Sequence, residues 1–252
     1  MVEGLLNYRL VGKGEPLLLI HGWGVSFTIW RDLEPLLAQQ YQLIIPEMPG
    51  IGLSPPAEGN YYEACAQSLE VLRVHLGLER WHILGYSLGG WVARTFARSW
   101  PSRVNRLVLL CIARPFPPAA LTLTLLLALD KRFPAFGNWA ATRWRLPLLV
   151  QALGFNGQPH PLAAVWTREI RTQSVPVIKQ SLHDLPRQGL TRLRLPPLPT
   201  LFIWGRIDTI GVAPFWSGDA DVILSGGHSL PMTGASQVYR IVRRFLGWAP
   251  SP

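Results

Sequence analysis

Two hydrophobic rhythms alternate along residues 16–112. Residues 16–20 are wholly apolar and end at His21-Gly22. A short run with no polar face fits a strand buried on both sides of a parallel sheet. Residues 41–45, 81–84 and 104–112 repeat that signature. Between these runs, apolar side chains recur at helical spacing: Ile29, Leu33, Leu36 and Leu37 within 27–40, Ala64, Leu69, Leu72 and Leu76 within 61–76, and a further helix over 88–100. Pro46, Gly77 and Pro101 stand where these segments should stop, because proline cannot continue a ladder and glycine accepts the turn past a helix end. Strand, helix and strand in short succession predict a parallel sheet covered by helices on both faces.

The rhythm changes near residue 114. From there to residue 199 the pattern is helical and broken by prolines, with the best helices at 121–129, 139–145, 162–171 and 175–185. Buried-strand runs return at 201–204 and 222–224, and 236–248 reads as a terminal amphipathic helix. The expected organisation is one α/β core built from residues 1–114 and 199–252, interrupted by a helical lid over 115–198.

Composition narrows the class. Apolar residues make up 48% and charged residues 15% of 252 positions, which excludes wholesale disorder. The longest uncharged apolar run, 119–129, is too short for a bilayer span of about 20 residues, and the N-terminus does not read as a signal peptide. A soluble cytoplasmic protein, with no stable membrane insertion, is the expectation. Cys65 and Cys111 have no metal or redox spacing, and Cys111 closes an apolar run, as a small buried hydrophobe would. Charge is uneven: ten Lys or Arg face three acids across 116–196, so this stretch carries +7 of the total +9. That excess is either a solvated basic face or a docking surface for an acidic partner. No nucleic-acid-binding motif accompanies it, so nucleic acid is not the expected partner.

Candidate chemistry lies at strand ends. Gly85-Tyr86-Ser87-Leu88-Gly89 follows a buried strand and opens a helix, the context of a nucleophile elbow that lifts a serine hydroxyl above a sheet. A hydroxyl needs a base to take its proton. Of six histidines, His228 follows the strand at 222–224 and a Gly-Gly pair. His21 reads as a loop organiser, His75 and His82 as structural, and His160 and His183 lie in the insertion. The acid that orients the base is Asp208, beyond the strand at 201–204. Asp219 and Asp221 precede a strand and so fall at the opposite edge. Oxyanion donors are expected from the backbone of Leu88, after the nucleophile, and of Trp23, in the loop after the first buried strand. This chemistry calls for no metal and no organic cofactor.

His21-Gly22-Trp23-Gly24, Pro49-Gly50-Ile51-Gly52-Leu53-Ser54, Gly85-Tyr86-Ser87-Leu88-Gly89-Gly90, Gly205-Arg206-Ile207-Asp208 and Gly226-Gly227-His228 resemble the α/β-hydrolase family over essentially the whole chain. The first of these motifs, Trp30 and the elbow most resemble the carboxylesterases of biotin synthesis, which demethylate a pimeloyl-carrier-protein methyl ester. The resemblance implies a serine carboxylesterase working through an acyl-enzyme, and a basic lid docking an acidic acyl carrier protein, with Arg143, Arg145, Arg168 and Arg171 as the matching basic residues. General esterases, thioesterases, carbon–carbon hydrolases, cofactor-free haloperoxidases and slow ligand sensors share the same constellation. Glu47 departs from the family, which usually has Asp before its Pro-Gly-x-Gly loop.

Overall fold

The computed structural model describes residues 4–56, 58–114, 125, 128–133, 155, 160–188, 195–213 and 221–247. Seven strands, β1 (Tyr8–Val11), β2 (Glu15–Ile20), β3 (Tyr41–Pro46), β4 (Trp81–Tyr86), β5 (Val104–Leu110), β6 (Thr200–Gly205) and β7 (Asp221–Leu224), form one sheet in the order β1-β3-β2-β4-β5-β6-β7. Only β1 runs antiparallel, against β3. Every other pairing is parallel. After β2 the chain goes outward to β3 and then returns across β2 to β4. The order therefore reverses between β2 and β4, and such a switch point opens a crevice at the C-terminal strand ends.

Apolar runs without a polar face become central strands because both faces are covered. Leu17 and Leu19 of β2, Leu84 and Tyr86 of β4, and Val108 and Leu110 of β5 face one core. Leu18, Ile20, Ile83, Leu107 and Leu109 face the other. Helices α2 (Tyr61–His75) and α3 (Leu88–Ser99) cover the second core. The short helix α1 (Glu34–Leu37) and the terminal helix α7 (Ala235–Leu246) cover the first, through Leu37, Val238, Val242 and Leu246. Helix α2 starts at Asn60, whose side chain accepts from the N–H groups of Tyr62 and Glu63, satisfying two donors that a helix start leaves open.

Two elements depart from the sequence pattern. The helix predicted over 27–40 is a 3-10 turn, Phe27–Trp30, followed by the four-residue α1. Pro35 sits in the first turn of α1. It has no N–H to continue the preceding turn, so the helix starts afresh there. Ile29, Trp30, Leu33 and Leu37 are buried nonetheless; the apolar spacing read the buried face correctly but not its conformation. Strand β1 went unread because it is a four-residue edge strand with no clean alternation of burial.

Of the insertion, the described parts include α4 (Pro161–Thr172) and α5 (Val175–Asp184), close to the predicted 162–171 and 175–185. Helix α6 (Leu230–Thr233) precedes α7. The helix predicted at 139–145, most of that at 121–129, and Arg143, Arg145 and Asp219 lie outside the described residues. Among the described residues no helix is long and apolar enough to cross a membrane.

The turn from β4 into α3 lies against β2 with almost no spare space. A methyl group on Gly89 would lie 2.3 Å from the His21 carbonyl oxygen and 2.4 Å from that of Ile20. One on Gly85 would lie 2.6 Å from the Gly89 carbonyl oxygen. These contacts are with backbone and cannot be relieved by rotating a side chain. Gly89→Ala is expected to cost about 1–3 kcal/mol or more, and each kcal/mol lowers the melting temperature by roughly 2–4 °C. Thermal unfolding followed by circular dichroism checks this; a variant melting with the wild type would contradict the crossing.

Candidate active site

Ser87 occupies the tip of that turn with φ 53° and ψ −119°, a backbone region that costs a residue with a side chain about 1–3 kcal/mol. Its neighbours enforce the conformation. The Ser87 N–H donates to the Leu110 carbonyl at 2.9 Å, and its own carbonyl accepts from Gly90 and Ala113. Gly22 backs the turn, since a methyl there would stand 3.0 Å from the Ser87 Cβ. The strained turn aims the hydroxyl at His228, with Oγ 2.8 Å from Nε2.

On its other side the His228 ring meets Asp208, with Nδ1 at 2.9 Å from one carboxylate oxygen and 3.1 Å from the other. An ionised carboxylate only accepts, so Nδ1 carries the proton and Nε2 is left to accept from the serine hydroxyl. The backbone N–H groups of Ile210 and Gly211 also donate to Asp208, at 2.8 and 2.9 Å. Burial alone would raise the Asp208 carboxyl. The His228 imidazole and these donors outweigh it and hold the group below its ordinary value. The Tyr86 hydroxyl donates to the His228 carbonyl at 3.0 Å, and its ring lies against the imidazole at 5.2 Å between centroids. All three members of the relay are buried.

The remaining histidines are occupied elsewhere. His21 donates from Nδ1 to the Gly22 carbonyl and accepts at Nε2 from the Met48 N–H. Burial lowers its pKa, with the Gly22 carbonyl and Glu47 opposing, so it is a neutral tie between the loops after β2 and β3. His75 is exposed against the Tyr8 ring, His82 pairs with Glu15, His160 caps α4 and His183 pairs with Asp130. Asp221 opens β7 and accepts from the Trp204 indole at 2.9 Å. Cys111, Asp208 and His228 offer donor atoms within 4.8 Å of one another, but two of the three are members of the relay, and a metal held there would compete with it.

Trp23 and Leu88, the expected oxyanion donors, line a narrow, partly open cleft between the loop after β2, the start of α3 and the insertion helices. Leu88 opens α3, and the first N–H groups of a helix have no partner within it. Helix α4 closes over the loop carrying Trp23: Ile170 fills the space beside Gly24, where a methyl would meet its Cγ1 at 2.7 Å. Val177 of α5 likewise seats on Gly50. A polar clasp reinforces the first contact, as Glu169 of α4 accepts from the Thr28 hydroxyl at 2.5 Å. Burial raises the Glu169 carboxyl, although the Thr28 bond partly offsets this. Arg168 and Arg171 are exposed on α4, away from its buried Leu162, Trp166 and Ile170.

Sequence reasoning missed two residues here. Glu47, noted only as a departure, is buried and accepts from the Ser26 hydroxyl, the Asn7 amide and the Leu53 N–H. A methyl on Gly52 would overlap its carboxylate, so the glycine at 52 lets the loop wrap around this acid. A lone acid in an apolar strand end before Pro-Gly-x-Gly was the available signal. Gln173, in the joint between α4 and α5, lines the cleft; no sequence pattern marks it.

The family model described as the alpha/beta hydrolase fold matches residues 15–213. The chain is 32% identical over 184 residues to an uncharacterised protein of Mycobacterium tuberculosis, a match covering 71% of this chain and 50% of that one; the chain thus spans about half the length of the first curated relatives it matches. It is 30% identical over 253 residues to a pimeloyl-acyl-carrier-protein methyl ester esterase of Aeromonas hydrophila, covering 94% of this chain and 97% of the other. Among solved structures it superposes on a thermophilic esterase of Thermogutta terrifontis with a TM-score of 0.75, 26% identity and coverage of 96% and 92%. The chain belongs to the α/β hydrolase fold family.

Asp208→Asn should preserve the side chain's shape but leave the imidazole tautomer unspecified, lowering kcat by about 10⁴-fold. Asp221→Asn should leave kcat within a few-fold, because its partner is an indole outside the relay. Steady-state kinetics on both variants separates the two acids. Because the Asp208 pKa is depressed on folding, its contribution to stability is present above the ordinary carboxylate value of 3.8 and is lost as pH falls through the lower folded value. Chemical denaturation of Asp208→Asn across that range should show a shallower acid dependence than the wild type.

Proposed function

We propose that the protein is a serine carboxylesterase that works through an acyl-enzyme, acting on a carrier-linked acyl methyl ester of the pimeloyl type. The observation that carries this reading is the unbroken relay from Ser87 through His228 to Asp208, placed beside a cleft shared by Trp23 and Leu88. Ser87 Oγ attacks the ester carbonyl while His228 Nε2 takes its proton. The backbone N–H groups of Trp23 and Leu88 hold the resulting oxyanion. The tetrahedral adduct collapses, the carbon–oxygen bond to the alcohol breaks, and the alcohol leaves with the proton from His228. Water, deprotonated by the same imidazole, then attacks the acyl-serine and releases the acid. Asp208 stays ionised and stabilises the imidazolium at both stages.

The esterase name of the Aeromonas relative, at 97% coverage of that protein, and the net +7 across 116–196 support the carrier-linked substrate. Residues 115–198 serve as the lid in this reading. Arg168 and Arg171, three apart on α4 and exposed, meet the acidic carrier, and Arg143 and Arg145 contribute to the basic charge of the same stretch of sequence.

Ser87→Ala should abolish labelling by a fluorophosphonate probe and lower ester turnover by on the order of 10⁶-fold. Persistent labelling of the variant would move the nucleophile elsewhere. For the carrier, steering between unlike charges weakens with ionic strength. kcat/KM for a carrier-linked methyl ester should drop steeply with added salt, whereas a small p-nitrophenyl ester responds little. Arg168→Glu with Arg171→Glu should reproduce that loss at low salt for the carrier-linked substrate alone. Equal salt responses would make the basic surface an ordinary solvated face.

A further inference from the structure

Gln173 lines the cleft yet is 8% exposed. Its backbone N–H closes the end of α4 on the Ile170 carbonyl, so the residue is fixed at the α4–α5 joint. Neither its side-chain oxygen nor its side-chain nitrogen has a hydrogen-bond partner in the protein. Among the described residues it is the one side chain with two separate polar atoms buried and unpaired. Such groups are rare in folded proteins because burying them without a partner is unfavourable, and each calls for an explanation.

The surroundings define what would pair with it. The cleft is shared with Trp23 and Leu88, and its lining also includes Met48, Tyr61, Val177 and Ser181. Neither Ser87 nor His228 lines it, but both proposed oxyanion donors do, which assigns it to the acyl side of the substrate. No Lys or Arg is among its described lining residues, and the one histidine there, His21, is held neutral by burial. A free carboxylate would therefore be desolvated without a counter-charge. It would also satisfy only the amide nitrogen and set its own oxygens against the Gln173 oxygen. A neutral group that donates and accepts at once satisfies both atoms, and a carboxamide does so through a planar two-point pair.

We propose that Gln173 is a specificity-determining residue that pairs with a neutral carboxamide on the acyl chain of the substrate, past an apolar segment next to the ester. This rests on the esterase reading and specifies its substrate. A primary carboxamide meets the requirement in full; the trans secondary amides of a pantetheine arm, whose N–H and C=O point opposite ways, pair with Gln173 through one bond at a time; a chain ending in a free acid does not meet it.

The test compares three p-nitrophenyl esters: the adipamate with its terminal carboxamide, the branched alkyl ester in which two methyls replace the amide oxygen and nitrogen, and the hydrogen adipate with a free carboxylate. Wild-type enzyme should prefer the adipamate in kcat/KM and disfavour the free acid. Gln173→Leu should lower the adipamate-to-alkyl ratio by about tenfold or more, as expected when a buried polar group loses its hydrogen-bonding match. Gln173→Glu, which keeps the size but loses the amide donor, should lower it too. A ratio unchanged within about twofold in both variants would overturn the proposal and leave Gln173 in contact with solvent only. If the wild type cleaves none of the three esters, the esterase reading falls instead. Calorimetric titration of the adipamate and alkyl esters into Ser87→Ala, with and without Gln173→Leu, then judges the carboxamide pairing by binding alone: a tenfold loss of preference sustains it and equal affinities overturn it.

Discussion

The close crossing of β4, α3 and β2 is the constraint on which the rest of the site depends. Gly85, Gly89 and Gly22 let three backbones meet within distances that a single methyl would violate. That proximity forces the sharp turn, and the turn holds Ser87 at positive φ with its hydroxyl pointing out of the sheet. The strain is maintained because the surrounding strands bury extensive apolar surface on both faces, a gain far larger than one unfavourable backbone conformation. Ser87 is therefore placed by packing around it more than by its own preferences.

Burial shapes the electrostatics in the same way. Ser87, His228 and Asp208 come from three loops at the same sheet edge and are shielded from water. In that setting an uncompensated carboxylate would protonate. Asp208 remains ionised because two backbone N–H groups and the imidazole all donate to it. Gly211 is part of this arrangement, since a methyl there would lie 2.8 Å from the carboxylate. His21 shows the complementary solution, a buried imidazole kept neutral because one nitrogen donates and the other accepts within the backbone.

The insertion helices touch the core at positions that the core leaves small. Ile170 and Val177 seat on Gly24 and Gly50, two glycines at positive φ in the loops after β2 and β3. Glu169 adds a clasp to Thr28, and Asp184 of α5 accepts from the Tyr61 N–H at the start of α2. These contacts bring the loop carrying Trp23 and the joint carrying Gln173 into one cleft. Any change in how α4 and α5 sit would alter this cleft before it reached Ser87, His228 and Asp208.

Much of this was readable from residue order alone. Strands without a polar face gave apolar runs that located six of the seven strands, including the edge strand β7, none of whose residues is buried. The glycine spacing around Ser87 and the glycines before His228 marked strand ends because backbone geometry there admits little else. Asp208 was separable from Asp221 because the two fall on opposite sides of their strands. Other features depend on contacts between residues far apart in the chain. The broken helix at 27–40 follows from Pro35 in a segment whose burial pattern suits either conformation. Strand β1 exists because β3 offers it an edge. Glu47 acquires its partners from Asn7, Ser26 and Leu53, and Gln173 faces a cleft that forms only when the insertion folds back over the sheet. Local patterning records which face is buried and where a turn must be small; which polar groups meet inside, and which are left without a partner, is decided only when distant segments pack together.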